Sequence, residues 1–123
     1  MNRTIVIAGA LLAASGVLLG AFGAHGLRDM LGPERLGWWH TAVQYQLWHA
    51  LGLIAIAPLG LRRVRVVAGL LAIGTLIFAG SLYLMALTDW RWLGMITPIG
   101  GVLLVAGWVL LACSALRGRS AMS

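Results

Sequence analysis

The chain has 123 residues, of which 61% are hydrophobic and only 10% are charged, and its mean hydropathy is +0.95. Soluble domains are about 45–50% apolar and about 25% charged, so this composition excludes a soluble domain, a disordered tail and a coiled coil. Nine arginines and no lysine against three acids give a net charge of +6. Because the arginines form short clusters between apolar runs, they indicate membrane orientation rather than nucleic-acid binding.

Four apolar segments, each of about 20 residues, occupy almost the whole chain. They predict helices at about 4–24, 40–61, 66–87 and 93–116. At ~1.5 Å per residue, each helix is long enough to cross the ~30 Å hydrocarbon core of a bilayer. No segment shows the alternating pattern of a membrane barrel strand. The predicted fold is therefore all-α: one integral-membrane four-helix transmembrane bundle over residues 1–123.

The first and third predicted helices each carry a stripe of small residues at spacings of three and four. The stripe on the first helix consists of Gly9, Ala13, Gly16, Gly20 and Gly23, and that on the third of Ala68, Ala72, Thr75, Ala79 and Ala86. In lipid, small residues allow two helix backbones to approach closely. The stripes predict that these two helices are the central packing elements. The alternative is that glycine and alanine are simply frequent in membrane helices.

The connection from His25 to Trp39 is the longest of the three. Its apolar and charged residues alternate around Gly32-Pro33, which indicates short amphipathic turns in the membrane interface or, alternatively, an irregular loop. Neighbouring charges on a helix do not face each other, so partners from elsewhere are needed for the four charged residues of this connection: Arg28, Asp29, Glu34 and Arg35. Asp89 and Arg91 are candidate partners on the same side.

The second predicted helix carries the polar side chains that enter the membrane. Tyr45, Gln46 and His49 are predicted to lie on one face, with His49 roughly 9–14 Å inside the boundary. An ionisable residue at that depth is a functional-site hypothesis. We favour the other interpretation, in which neutral His49 hydrogen-bonds a hydroxyl or carbonyl of a neighbouring helix.

The other histidines offer a poor metal site. His40 lies nine residues from His49, half a turn out of phase, so the two face opposite directions and Gln44 lies nearer His40. A haem or metal site would need His25 as a second ligand. We therefore predict no metal and no cofactor.

The turn Asp89-Trp90-Arg91-Trp92 connects the last two helices, and Asp89 is predicted to cap the fourth. Pro98 is predicted to break one backbone hydrogen bond within that helix, and Pro58 one within the second helix. The single cysteine, Cys113, is predicted to be a small packing residue.

The charges orient the predicted bundle. Six arginines and no acid fall on one side: Arg3, Arg62, Arg63, Arg65, Arg117 and Arg119. On the other side, three arginines and three acids cancel. The positive-inside rule then predicts that both termini are cytoplasmic. Four tryptophans are predicted to form an aromatic belt of interface anchors on the opposite side: Trp38, Trp39, Trp90 and Trp92.

Three stretches carry a resemblance to a known family: Gly-Ala-Phe-Gly-Ala-His-Gly-Leu at 20–27, Trp-His-Thr-Ala-Val-Gln-Tyr-Gln at 39–46 and His-Ala-Leu-Gly-Leu at 49–53. They resemble a bacterial family of small four-helix inner-membrane proteins, with relatives in mitochondria, that is known only as domain of unknown function four hundred and twenty-three. The resemblance implies a multi-pass protein of the bacterial inner (plasma) membrane and implies no reaction. The family motif falls on His25, Gln44, Tyr45 and His49.

Catalytic templates are missing and all three acids lie in connections, so an enzyme is not predicted. The favoured function is a structural or accessory module that packs through its Gly/Ala faces, with the lipid bilayer around it and itself or a larger membrane complex as partner. One alternative is an oligomeric transporter or channel for protons or a small solute, lined by His49, Tyr45 and Gln46. The other is a haem- or metal-binding module using His25, His40 or His49.

Overall fold

The computed structural model describes residues 2–117, and every regular element in that range is helical. Helix α1 spans Arg3–His25, α2 Pro33–Ile56, α3 Val64–Thr88 and α4 Thr97–Leu116, and a short 3₁₀ segment, Arg91–Met95, precedes α4. Three helical stretches are long and apolar enough to cross a membrane: α1, α3 and the continuous Arg91–Leu116. Helix α2 is the least apolar of the four, because it contains two histidines and two glutamines.

Helix α2 is shifted from its predicted position. It begins at Pro33 rather than near residue 40, with Gly32 as an extended N-cap and Pro33 in the first turn, where a missing N–H costs nothing. The first turns of α2 contain charged residues, so they lie outside the apolar run from which the helix was predicted. The second half of the long connection is thus part of α2 rather than separate turns or a loop. The helix ends at Ile56 rather than near 61. Ala57 still has helical dihedrals and donates to the Leu53 carbonyl, but Pro58 has no N–H with which to continue the series. Pro58 therefore follows the helix and breaks no bond within it.

The turn between α3 and α4 also differs from the prediction. Asp89 adopts a left-handed conformation (φ 59°) and its N–H donates to the Met85 carbonyl at 2.8 Å. It therefore ends α3 and does not cap α4, whose N-cap is Ile96, without a side-chain hydrogen bond. Pro98 lies in the first turn of α4, so it removes no hydrogen bond from the helix interior.

The helices pack in the order of the chain: α1 on α2, α2 on α3, and α3 on α4, with only slight contact between α1 and α3. The prediction that α1 is central is wrong, whereas α3 is indeed central and shares that place with α2. Helix α1 packs its small-residue face against α2 and against no other helix to any large extent. The most polar helix lies between two others because polar side chains are costly to expose to lipid.

Glycines mark the closest approaches between helices. On α1, a Cβ added to Gly9 would lie 2.8 Å from the Ala50 carbonyl oxygen, and Gly16, Gly20 and Gly23 similarly contact α2, while Ala13 is half-buried. On α3, Ala68, Thr75, Ala79 and Ala86 are buried and Ala72 is half-buried. Helix α4 approaches α3 through Gly100 and Gly107, two positions that the sequence analysis did not single out.

The two ends of the bundle differ in composition. The arginine end is defined by Arg3, Arg62, Arg63, Arg65 and Arg117; the sixth predicted arginine, Arg119, lies outside the described residues. At this end the Asn2 N–H donates to the Ala57 carbonyl at 3.4 Å, which fixes the start of α1 beside the end of α2. The tryptophan end is defined by Trp38, Trp90, Trp92 and the acids Asp29, Glu34 and Asp89.

Ionic contacts hold the tryptophan end together. Arg91 donates to Glu34 at 2.6 Å, as expected for a charged partner from the last connection, and it also lies 3.4 Å from Asp89 and over the Trp38 ring. The hydrogen bond and the charge of Arg91 hold the pKa of the Glu34 carboxyl below its ordinary value. Arg35 donates to the Ala86 and Leu87 carbonyls at 2.7 and 2.8 Å. A cation is favourable there because the last carbonyls of a helix lack partners.

Candidate functional site

The polar residues predicted as a site are divided between the surface and the interior. His25, His40 and Gln44 are exposed, Tyr45 is half-buried, and only Gln46 and His49 are buried, at 4% and 6% exposure. The three histidines do not come together. Among residues 2–117, no three His, Cys, Asp or Glu side chains are placed to hold a metal ion.

Gln46 joins three helices. Its Nε2 donates to the Leu12 carbonyl at 2.9 Å and to the Ser15 hydroxyl at 2.8 Å, both on α1. Its Oε1 accepts a hydrogen bond from the Tyr83 hydroxyl on α3 at 2.6 Å. Both amide hydrogens and the amide oxygen of this buried side chain are therefore satisfied within the bundle.

His49 joins α2 to α4. The indole N–H of Trp108 can only donate, so its 3.0 Å contact requires a lone pair on His49 Nε2. The Tyr45 carbonyl, 2.8 Å from His49 Nδ1, can only accept, so Nδ1 carries the hydrogen. These contacts select one neutral tautomer. The interhelical partner is an indole, rather than the hydroxyl or carbonyl expected from the sequence.

The prediction of one polar face on α2 is wrong. Gln46 hydrogen-bonds to α1 and α3, whereas Tyr45 and His49 face α4. At about 100° per residue, Gln46 lies about 100° from Tyr45 and about 60° from His49 around the helix, which is enough to reach different neighbours. Gln46 and Thr75 line a groove of about 220 Å³ between α1 and α3. Tyr45, His49 and Trp108 line a different groove of about 810 Å³ between α2 and α4.

The predicted aromatic belt is only partly at the surface. Trp90 and Trp92 are exposed and Trp38 is half-buried, but Trp39 is only 2% exposed. Its Nε1 donates to the Leu19 carbonyl at 2.9 Å, and its ring packs edge-on against Tyr83 with centroids 4.7 Å apart. Trp39 is thus a packing residue between α1 and α3. Cys113, in contrast, is exposed rather than packed.

Three residues of these networks were missed by the sequence analysis: Ser15, Tyr83 and Trp108. Each is a hydrogen-bond donor inside an apolar segment, and such donors need a partner in lipid. That rule could have singled them out, although it could not have told which partner each one takes. Two further buried hydroxyls, those of Thr75 and Ser114, have no hydrogen-bond partner.

Replacing Trp108 by phenylalanine is expected to lower the free energy of unfolding by about 1 kcal/mol, which is the average of about 0.6 kcal/mol for one interhelical hydrogen bond plus the cost of an unpaired buried acceptor. The change leaves Nε2 of buried His49 without a donor. Trp48→Phe is the matched control, because Trp48 is exposed on α2 and its indole makes no hydrogen bond. Denaturant unfolding in detergent measures both variants. Equal losses in the two would contradict the assigned bond.

Comparisons with known proteins agree with one another. A family model described as a protein of unknown function (DUF423) matches residues 19–101. The chain is 45% identical to a UPF0382 membrane protein of Staphylococcus haemolyticus, over 94% of this chain and 97% of that protein. It is 40% identical to the UPF0382 membrane protein YwdK of Bacillus subtilis (94% and 98% covered) and 38% identical to the UPF0382 inner membrane protein YgdD of Escherichia coli (94% and 92%). No solved structure matches the chain significantly.

Proposed function

The chain belongs to the DUF423 family of bacterial membrane proteins of unknown function, and from that premise we propose that it is a structural or accessory module of the inner membrane. In this proposal it neither carries a solute nor catalyses a reaction. The single observation that carries the proposal is the complete pairing of the buried polar side chains of α2. Gln46 hydrogen-bonds to α1 and α3, and His49 hydrogen-bonds to α4 and to the Tyr45 carbonyl of its own helix.

The separation of these two residues supports the same proposal. A transport route that used the polar face of α2 would bring Tyr45, Gln46 and His49 to one passage. Here Gln46 lies in the groove between α1 and α3 and His49 in the groove between α2 and α4, and the two grooves share no lining residue. Rotating either side chain into a shared passage would break its hydrogen bonds in a medium without water.

We also propose that all four helices cross the membrane and that both termini are cytoplasmic. Three helical stretches have the length and composition that are needed to cross a membrane. Helix α2 runs between α1 and α3, and its two deepest polar side chains, Gln46 and His49, are buried against neighbouring helices and need not meet lipid. The arginine end holds no acid, and an arginine excess is typical of the cytoplasmic side.

The small-residue face of α1 is occupied within this chain and so is not free for a partner. Gly9, Gly16 and Gly23 are in close contact with α2. In this respect the proposal differs from the expectation that Gly/Ala faces bind a second protein. Those faces build the module, and a partner in the membrane would contact other faces.

Thiol labelling tests the proposal. Against a Cys113→Ser background, Thr75→Cys places a thiol in the groove beside Gln46, where Thr75 is only 1% exposed. We expect an impermeant maleimide to leave this thiol unlabelled from both sides of the membrane, because no water path reaches it. Trp90→Cys, at an exposed position, is expected to react in intact cells, and native Cys113 only after permeabilisation.

The outcomes separate function from topology. Rapid labelling of Thr75→Cys, together with proton flux in proteoliposomes that disappears in His49→Ala, would overturn the structural role and leave the topology standing. Labelling of Cys113 in intact cells, with Thr75→Cys still protected, would overturn the orientation alone.

A further inference from the structure

A small pocket at the arginine end brings together side chains from two distant parts of the chain. Arg62 and Arg63 reach it from the connection between α2 and α3, and Ser114 and Arg117 from the end of α4. Its volume is about 130 Å³, which is room for one small tetrahedral anion.

Among residues 2–117, the acidic side chains all lie far from Arg62 and Arg63. All three acids of the chain, Asp29, Glu34 and Asp89, lie at the tryptophan end. Helix α3 separates the two ends by 25 residues, or roughly 37 Å at ~1.5 Å per residue. That distance exceeds the Debye length of ~8 Å at physiological salt several times over. These acidic side chains therefore cannot neutralise Arg62 and Arg63.

The start of α3 adds further positive potential. Arg63, which lines the pocket, is also the N-cap of α3, and no side chain caps the first turn, which contains no acid. The N-terminus of a helix presents unpaired backbone N–H groups and the positive end of the helix dipole, both of which favour an anion.

A buried hydroxyl provides an independent observation. Ser114 lines the same pocket and is only 6% exposed, yet its Oγ has no hydrogen-bond partner within residues 2–117. A buried hydroxyl without a partner is costly, particularly near lipid. A ligand oxygen in the pocket would give this hydroxyl an acceptor.

We propose that this pocket binds a phosphate group. Guanidinium groups match phosphate oxygens in geometry and charge, and the Ser114 hydroxyl adds a donor from the opposite wall. The pocket lies at the end of two membrane-length helices, where phospholipid headgroups are found, so the phosphate belongs either to an anionic lipid or to a free phosphate ion. The same donors serve both sources.

The test uses the full-length protein in a neutral detergent, which removes the diffuse surface potential of a membrane. Dioctanoyl phosphatidylglycerol, phosphate-free dioctanoylglycerol and inorganic phosphate are the three probes. Binding is measured by native mass spectrometry and by the shift in thermal unfolding. We expect saturable binding of one phosphatidylglycerol and none of dioctanoylglycerol.

Variants locate the site. Arg62→Gln with Arg63→Gln is expected to weaken binding by roughly 25-fold, at about fivefold for each arginine. Ser114→Val leaves the net charge unchanged and is expected to weaken binding by roughly three- to tenfold, because it removes a donor and fills the pocket. Arg3→Gln is the matched control: it removes one charge at the same end but outside the pocket, and we expect less than a twofold effect.

The possible results either assign the phosphate to one source or overturn the proposal. Binding of phosphatidylglycerol without a response to inorganic phosphate assigns the site to a lipid headgroup, and an equal response to inorganic phosphate assigns it to the free ion. The proposal fails if neither probe binds. It fails equally if Arg3→Gln weakens binding as much as the Arg62 and Arg63 changes, or if Ser114→Val binds normally while its unfolding temperature without ligand matches that of the parent.

Discussion

Gly100→Ala is expected to disrupt the contact between α3 and α4 and to lower the free energy of unfolding by about 3 kcal/mol, the upper part of the range for overpacking. A Cβ at this position would overlap the Phe78 backbone nitrogen and lie 2.8 Å from both the Phe78 Cα and the Gly74 carbonyl oxygen. These are backbone atoms of a helix, so they cannot rotate away as a flexible side chain can. The two helices would have to separate along their length.

The neighbouring glycine supplies the control for this change. At Gly101, the atom nearest to an added Cβ is a Phe78 ring carbon at 3.8 Å, which is ordinary van der Waals contact. Gly101→Ala is expected to change stability by less than about 1 kcal/mol, since alanine is also the better helix former. Thermal unfolding in detergent, followed by circular dichroism, compares the two variants. If Gly100→Ala unfolds at the same temperature as Gly101→Ala, the close approach of α3 and α4 is not as described.

Gln46→Leu is expected to lower the free energy of unfolding by about 2 kcal/mol. It removes three hydrogen bonds, and interhelical hydrogen bonds in membrane proteins are worth on average about 0.6 kcal/mol each. It also leaves the Tyr83 hydroxyl without its acceptor in an apolar interior. Leucine is similar in size to glutamine, so the loss reports on hydrogen bonding more than on packing.

Gln44→Leu is the matched control for Gln46, because it makes the same chemical change on the same helix at an exposed position. We expect it to leave stability nearly unchanged. Tyr83→Phe, which removes only the bond to Oε1, is expected to fall between the two variants. Denaturant titration in detergent measures all three. A loss in Gln44→Leu as large as that in Gln46→Leu would show that the Gln46 network contributes nothing specific.

The helices were largely predictable because long apolar runs follow directly from the thickness of a bilayer. Helices α1 and α3 begin and end within about two residues of their predicted limits. Helix α2 was placed wrongly because its first turns carry Glu34, Arg35 and two tryptophans, which an apolar pattern does not include. The signal that could have found its start was Gly32-Pro33, interpreted as an N-cap and a first-turn proline rather than as an interruption.

The site was predictable in its residues but not in its arrangement. The rule that polar groups in lipid need partners singled out Gln46 and His49, and both are buried and bonded. Spacing alone did not show that they point to different helices, since that depends on which neighbour lies on each side of α2. For the same reason, the stripe on α1 identified a packing surface without identifying α2 as its only large partner. The bonds to Tyr83 and Trp108 follow from that arrangement and could not be derived before it.

The pairing of each helix with the next has a consequence for biogenesis. As the polypeptide leaves the ribosome and enters the bilayer, each newly inserted helix can pack at once against the helix before it. There is no large interface between the first and the last described helix that could form only at the end. Assembly can then advance by short-range steps, which fold quickly because little chain must be brought together for each one. The amide of Gln46 meets Ser15 as soon as the first hairpin closes, and it receives the phenol of Tyr83 only once the third helix has been synthesised.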